Sequence, residues 1–265
     1  TRFAIPIDNE ALDDTQKKDG SMNASAADAP PVKDLLDQLV LANKILFQLN
    51  VVDAFGHISV RHDKDSKRYL MSRHLPPVMV TAADIATFDL DSNPLTHSDK
   101  PQYSERFIHG EIYKVRPEVL SVVHCHARPL IPFGVAKGAK LRPMFHMCGF
   151  LGCGVPIFEI RKAGGMTDML IRTPELGKAL AASLDDKFVV LMRGHGATMV
   201  GQSIPEAVFR AVYAMENATI QMQAHQLAED GEVEFLSAEE SAKSGKGRNV
   251  MRAWALWKHQ FSSTQ

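Results

Sequence analysis

Three histidines and one glutamate are the residues whose types and spacing could do chemistry here. His124 and His126 stand two apart in Val122-Val123-His124-Cys125-His126. On a strand, positions i and i+2 share a face, so both imidazoles could reach one metal ion. The same spacing also suits two histidines hydrogen-bonded to ordinary neighbours. A third, His195, follows the apolar run Phe188-Val189-Val190-Leu191-Met192 and lies between Gly194 and Gly196, which allow the backbone to approach a site closely. Both segments stop at strand ends, where α/β folds gather their ligands. A carboxylate is available from Glu105, in Tyr103-Ser104-Glu105-Arg106-Phe107. Spacing alone favours its reading as a helix-start charge that complements the macrodipole.

The elements that must hold these groups are legible from periodicity. Residues 32–49 carry Leu35, Leu36, Leu39, Val40, Ile45 and Leu46 at near-helical spacing, an amphipathic helix. Residues 57–61 alternate with period two, residues 69–72 partly so, and residues 87–90 are a third strand candidate. Asp91, Ser92, Asn93 and Pro94 mark a turn. A helix is expected from Ser104 to about Val115, ended by Pro117, then buried strands at residues 119–124 and 188–192. Residues 128–136 are a helix candidate weakened by Pro129 and Pro132. A long helix runs over residues 205–227, with Pro205 in its first turn. This mixture suggests α/β or α+β architecture.

Three segments follow: an arm over residues 1–31, a main domain over residues 32–236, and a tail over residues 237–265. The arm is rich in Ser, Ala, Asp and Pro near its end, yet Phe3, Ile5, Pro6 and Ile7 could order against a neighbouring subunit. The tail is charged and expected to be loose, with a short helix around residues 249–259 carrying Trp254 and Trp257.

Composition narrows the partners. The 265 residues hold 30 Lys plus Arg against 31 Asp plus Glu, a net charge of -1, which gives no reason to expect a nucleic-acid or anionic-membrane partner. No stretch approaches the roughly 18 uninterrupted apolar residues of a membrane span. The three cysteines, Cys125, Cys148 and Cys153, form no Cys-x-x-Cys pair, which argues against a disulfide framework and for a reducing, cytoplasmic setting.

From about Leu35 to Leu227 the sequence resembles the class II aldolase/adducin family. Four blocks carry the likeness: Phe55-Gly56-His57-Ile58-Ser59-Val60-Arg61, Ser104-Glu105-Arg106-Phe107-Ile108-His109-Gly110, His124-Cys125-His126 and Gly194-His195-Gly196. The resemblance implies an α/β/α fold around a mostly antiparallel central sheet, and a homotetramer with active sites at subunit interfaces. It makes His124, His126 and His195 the metal ligands. Glu105 becomes the residue that either ligates the resting metal or moves off it as acid/base. The resemblance also implies that the C-terminal segment, with Trp254, Trp257 and His259, could cover a neighbour's site.

The departures point to a substrate. Sugar-phosphate aldolases of this family carry small residues that cradle phosphate where this chain has His57, Arg73 (beside Ser72) and Tyr103. Arginine suits carboxylate recognition and tyrosine packs on a flat ring, so an aromatic acid fits better than a sugar phosphate. Pro132-Phe133-Gly134, Phe145-His146-Met147, Gly149-Phe150-Leu151-Gly152 and the stretch from Met192 to Thr198 resemble the family's decarboxylase-type members. These include pyridine-dicarboxylate decarboxylases of vitamin B6 (pyridoxine) degradation and dihydroxyphthalate decarboxylases. The implied reaction is decarboxylation of an ortho-hydroxylated aromatic or pyridine carboxylate, with the enolate-like charge stabilised at a divalent metal. Glu105 leads as acid/base, with His57 and His74 behind it. Arg73 would hold a second carboxylate, with Ser72, Tyr103 and His146 lining the substrate site. Ligand type alone suits Zn, Fe, Mn or Co. Decarboxylase relatives imply Mn2+, with Zn2+ or Fe2+ as alternatives. An aldolase or epimerase on an unphosphorylated sugar derivative, and a non-catalytic adducin-like scaffold, are the competing readings.

Overall fold

The structure, a computed structural model, describes residues 31–246 and 249–262. The expected arm, including the Phe3–Ile7 stretch, lies outside the described residues except for Pro31. The order of elements is α1 (Lys33–Gln48), β1 (His57–Arg61), β2 (Arg68–Ser72), β3 (Ile85–Asp89), α2 (Phe107–Val115), β4 (Ser121–Cys125), α3 (Ile131–Val135), β5 (Ile157–Phe158), α4 (Ile160–Gly164), α5 (Pro174–Leu184), β6 (Val189–Met192), β7 (Gly196–Gly201), α6 (Ile204–Leu227), α7 (Ala238–Gly245) and α8 (Val250–Phe261).

Seven strands form one sheet in the order β3-β2-β1-β4-β7-β6-β5. Every pairing is antiparallel except β5 with β6. Helices cover both faces, and the period-two alternation of the strands divides the apolar residues between them. Ile58, Val60, Val123, Cys125, Val189 and Leu191 join the cluster that holds buried residues of α1, α6 and α8. Tyr69, Met71, Val122, Val190 and Val200 join the cluster with α2 and α5. His57, Ser59 and His124 occupy the positions that alternate onto this second face.

Two expectations are corrected. The segment beyond Ser237 is not loose among its described residues. Ser237 and Glu240 form a reciprocal capping box that starts α7. Trp254 and Trp257 of α8 are buried in the chain's own core with α1 and α6, so they are not available to cover a neighbour's site. Strand β7 lacks an obvious signal in sequence because Gly196 and Gly201 bound it. The β4 and β6 ladders supply the pairing that propensity withholds.

Candidate metal centre

Strand β4 runs antiparallel to β1 with His57 opposite His124, and β4 also pairs with β7, placing Ala197 opposite Cys125. One end of the sheet therefore collects the start of β1, the end of β4 and the β6–β7 turn. Gly194, at φ +65°, makes that turn, where a side-chain-bearing residue would be strained. The turn presents His195. Glu105 comes from the turn immediately before α2 rather than from the helix itself.

The four predicted ligands converge. One ligand atom from each of Glu105, His124, His126 and His195 lies within 4.8 Å of the others. His126 Nε2 is 3.1 Å from His124 Nε2 and 3.0 Å from His195 Nε2. Glu105 Oε2 is 3.5 Å from the Nε2 atoms of both His124 and His195. A neutral imidazole carries one ring proton, so mutual hydrogen bonds satisfy such a cluster poorly. A shared cation satisfies all four donors at once, so the residues fit a metal ion.

Outer contacts set the ring directions. The Met169 carbonyl lies 3.0 Å from His195 Nδ1, which turns Nε2 inward. Thr198 Oγ1 stands 3.4 Å from His124 Nδ1. The Ile171 backbone N–H donates to Glu105 Oε1 at 2.9 Å, leaving Oε2 for the histidines.

The electrostatics follow from burial and charge. Burial pushes His126 down to about 4, helped by His124 and His195. For Glu105, burial works upward but the His124 and His195 imidazoles outweigh it, holding the carboxyl well below its usual range. Burial also lowers His195, but Glu105 and the Met169 carbonyl prevail and raise it.

The remaining predicted residues divide. His57 is buried beside the cluster, its ring centroid 5.1 Å from that of His124 and 4.6 Å from that of Tyr103. Ser72 donates to the Tyr103 hydroxyl at 3.4 Å, and that hydroxyl donates to the Leu75 carbonyl. Tyr103 thus offers its ring to the site more readily than its proton. His74 is exposed and meets Tyr103 edge-on at 5.4 Å. Arg73 is held elsewhere: its Nε donates to Asp84 at 2.8 Å, and its backbone pairs with the same residue. His146 is exposed at the start of a 3-10 segment, with its ring 6.0 Å from Phe145, and does not join the cluster. Arg73 is committed to Asp84, and His146 is not among the residues that converge on the metal position.

Sequence reasoning passed over His109, Ser59 and Tyr113. His109 Nε2 lies 2.7 Å from His57 Nδ1, and Ser59 Oγ lies 2.6 Å from His109 Nδ1 and 2.8 Å from the Tyr113 hydroxyl. Burial lowers His57 well below its ordinary value, with His109 and His124 adding to the effect, and pushes His109 down to about 3. The signal was present: Ser59 follows His57 by two on a strand, and Tyr113 follows His109 by four on a helix. A cavity of about 510 Å³ opens at His126 and is also lined by Asp53, Arg128 and Glu216. The exposed Phe55 ring stands 6.4 Å from His126.

Comparison with known proteins agrees with this geometry. Residues 37–222 match the family model described as Class II Aldolase and Adducin N-terminal domain. The chain belongs to this family, on the branch whose named members are decarboxylases, and is an enzyme. It is 42% identical to Decarboxylase tropJ of Talaromyces stipitatus over 80% of this chain and 88% of that protein. It is 31% identical to the 3,4-dihydroxyphthalate decarboxylase of Terrabacter sp., over 75% and 84% respectively. Among solved structures, an aldolase II superfamily protein from Pseudomonas syringae shares the fold, with a TM-score of 0.72 at 22% identity over 88% of this chain and 94% of that one. The family is metal-dependent, and the Glu105 cluster gives this chain a place for an ion. Among the described residues no helix is long and apolar enough to cross a membrane.

Proposed function

We propose that this enzyme is a divalent-metal-dependent decarboxylase of an ortho-hydroxylated aromatic or pyridine carboxylate. The observation that carries the reading is the convergence of His124, His126, His195 and Glu105 in a chain similar over most of its length to named decarboxylases. A divalent ion held there supplies Lewis acidity to a substrate oxygen ortho to the departing carboxylate. His124, His126, His195 and Glu105 would hold it, with Met169 and Thr198 orienting the rings. Three imidazoles and one carboxylate would suit Mn2+, Zn2+ or Fe2+ by ligand type, and the likeness to decarboxylases favours Mn2+.

The chain's own groups shape the rest of the site. The Tyr103 and Phe55 rings flank it with flat apolar surface suited to an aromatic acid. Arg128 lines the cavity at His126 and offers the cation that Arg73, tied to Asp84, does not. Glu105 Oε2 faces the histidines as an acceptor and acts as a ligand in the resting site. His57 stands closer to the cluster than His74 as a group to meet the substrate. The family likeness supports a homotetramer with sites at subunit interfaces, a state that light scattering would measure.

The test is carbon dioxide release from a panel of ortho-hydroxy benzoates, phthalates and pyridine carboxylates, with chelated and Mn2+-reconstituted protein compared. Metal-dependent release from one compound is expected. Release from a pyridine dicarboxylate would place the enzyme in vitamin B6 breakdown. No release with metal firmly bound would overturn the reading in favour of aldol or epimerase chemistry on an unphosphorylated sugar derivative. Protein that binds no stoichiometric metal would instead be a scaffold.

A further inference from the structure

We infer that His57 is a neutral hydrogen-bond donor to an anionic oxygen of the substrate, and that a buried chain of His109, Ser59 and Tyr113 fixes the tautomer that makes it one. The inference rests on the decarboxylase reading for the identity of the acceptor. The position of the proton is independent of that reading.

Four polar groups from two elements form the chain. His57 and Ser59 lie two apart on β1, and His109 and Tyr113 lie four apart on α2. None is more than 4% exposed. The contacts run in a single line, from the Tyr113 hydroxyl to Ser59 Oγ at 2.8 Å, from Ser59 Oγ to His109 Nδ1 at 2.6 Å, and from His109 Nε2 to His57 Nδ1 at 2.7 Å.

Counting protons gives the line a direction. Burial holds the proton on Tyr113, whose hydroxyl meets Ser59 Oγ and the Val122 backbone N–H; the N–H can only donate, so Ser59 Oγ is the acceptor in reach among the described residues. Tyr113 therefore donates to Ser59. The single hydroxyl proton of Ser59 then goes to His109 Nδ1, which must be bare. His109 carries its proton on Nε2 and gives it to His57 Nδ1. That nitrogen is bare in turn, so the proton of His57 sits on Nε2. The reverse direction would leave the Tyr113 proton without an acceptor in the core. An unmade buried hydrogen bond costs more than a made one contributes, so the forward direction wins.

The outcome is a donor beside the ligand cluster. Among the described residues the one side-chain hydrogen bond of His57 is made by Nδ1, so Nε2–H has no protein partner among them. The ring stands between Tyr103 and His124. A bare nitrogen there would repel a carboxylate or phenolate oxygen, whereas an N–H binds it. His57 thus selects for an oxyanion next to the metal position. His109, Ser59 and Tyr113 are positioning residues, acting through His57.

Nitrogen-15 NMR of the full-length, histidine-labelled protein loaded with diamagnetic Zn2+ reads the tautomers directly. His57 and His109 should each show a protonated Nε2 and an unprotonated Nδ1. A protonated Nδ1 on His57 would overturn the inference. Tyr113→Phe, which removes only the hydroxyl, should give mixed tautomers at both rings with Zn2+ still bound, and Ser59→Ala should do the same. Unchanged tautomers in both folded variants would also overturn it. Salicylate serves as the probe of donation. Its binding to the Zn2+ form should weaken about tenfold or more in His57→Phe, and much less in His57→Gln, whose amide N–H can reach the Nε2 position. Equal affinity in wild type, His57→Phe and His57→Gln would sink the donor role. The panel failing to release carbon dioxide would remove the decarboxylase reading while leaving the tautomer result intact.

Discussion

The Cys125 carbonyl leaves no room for a side chain at position 196: a Cβ on Gly196 would lie 2.1 Å from the Cys125 oxygen and 3.1 Å from His126 Cα. These two residues lock β4 and β7 together between the ligands His124, His126 and His195. Gly196→Ala must separate the strands, because the clash is with backbone and cannot be relieved by a rotamer. We expect a loss of about 2 kcal/mol or more in unfolding free energy, together with weakened metal binding. Urea titration and metal content of the purified variant check this, and a variant with wild-type values for both would refute the account of the strand junction.

Metal should stabilise the fold through the four ligands. A ligand that binds only the folded chain adds about 2.7 kcal/mol at a hundredfold excess over its dissociation constant. Thermal midpoints of wild type should therefore rise with added Mn2+ and fall back with chelator, while His195→Ala and His124→Ala should lose most of the response. An identical rise in the variants would locate the binding elsewhere. Glu105→Gln keeps an oxygen ligand but removes the charge, so it should show a reduced rise rather than none.

Much of this geometry was legible beforehand because it rests on short spacings. His124 and His126 announce themselves by period two, and the long apolar face from Ala207 to Met222 predicts α6. The strand at residues 87–90 was displaced from β3, Ile85–Asp89, since strand ends depend on the partner ladder and not on local sequence. Arg73 illustrates a different limit. Its type suits a carboxylate, and it found one, but in Asp84 of its own chain. Nothing local distinguishes an arginine that waits for substrate from one already paired across a loop. His109 was missed for the opposite reason. A lone histidine in an apolar helix reads as core until β1 is known to lie beside it.

The buried histidines make stability depend on pH. An unfolded histidine titrates near 6.5, whereas burial holds His109 neutral down to about 3. Between these values the unfolded chain binds a proton that the folded chain refuses, so stability rises with pH across that window. The contribution is fully present above about 6.5 and is lost on acidification, by about 2 kcal/mol between pH 6.5 and 5 for His109 alone. His57 and His126, also lowered by burial, act in the same direction, and the raised His195 acts against them. Denaturation of the metal-free protein across this range should show the slope. His109→Asn should flatten it, and an unchanged slope in that variant would exclude His109 as the source.

Thiol chemistry should separate the three cysteines. Cys125 and Cys148 are buried, and burial pushes the Cys125 thiol up to about 12, while Cys153 is exposed. Thiolate, not thiol, is the reacting form, so Cys125 is protected twice, by access and by protonation. A disulfide-exchange reagent at pH 8 should modify one thiol per folded chain, at Cys153, and all three after denaturation. Rapid modification of Cys125 in the native protein would mean that the β4 end of the sheet opens.

The tail should behave as core. Trp254 and Trp257 lie at 5% and 6% exposure in the cluster that includes α1 and α6. Removing such a side chain costs about 3–5 kcal/mol, the range for a large aromatic replaced by alanine. Trp254→Ala should therefore lower the urea midpoint strongly, and removal of residues 237–265 should leave little folded protein. If the truncated chain instead melted like the full one, α8 would have to be a detachable segment, and its tryptophans would again be free to reach another subunit. Tryptophan fluorescence of the intact protein offers an independent reading: both indoles are buried, so emission should be blue-shifted in the native state and move to longer wavelength in the same transition that unfolds the sheet.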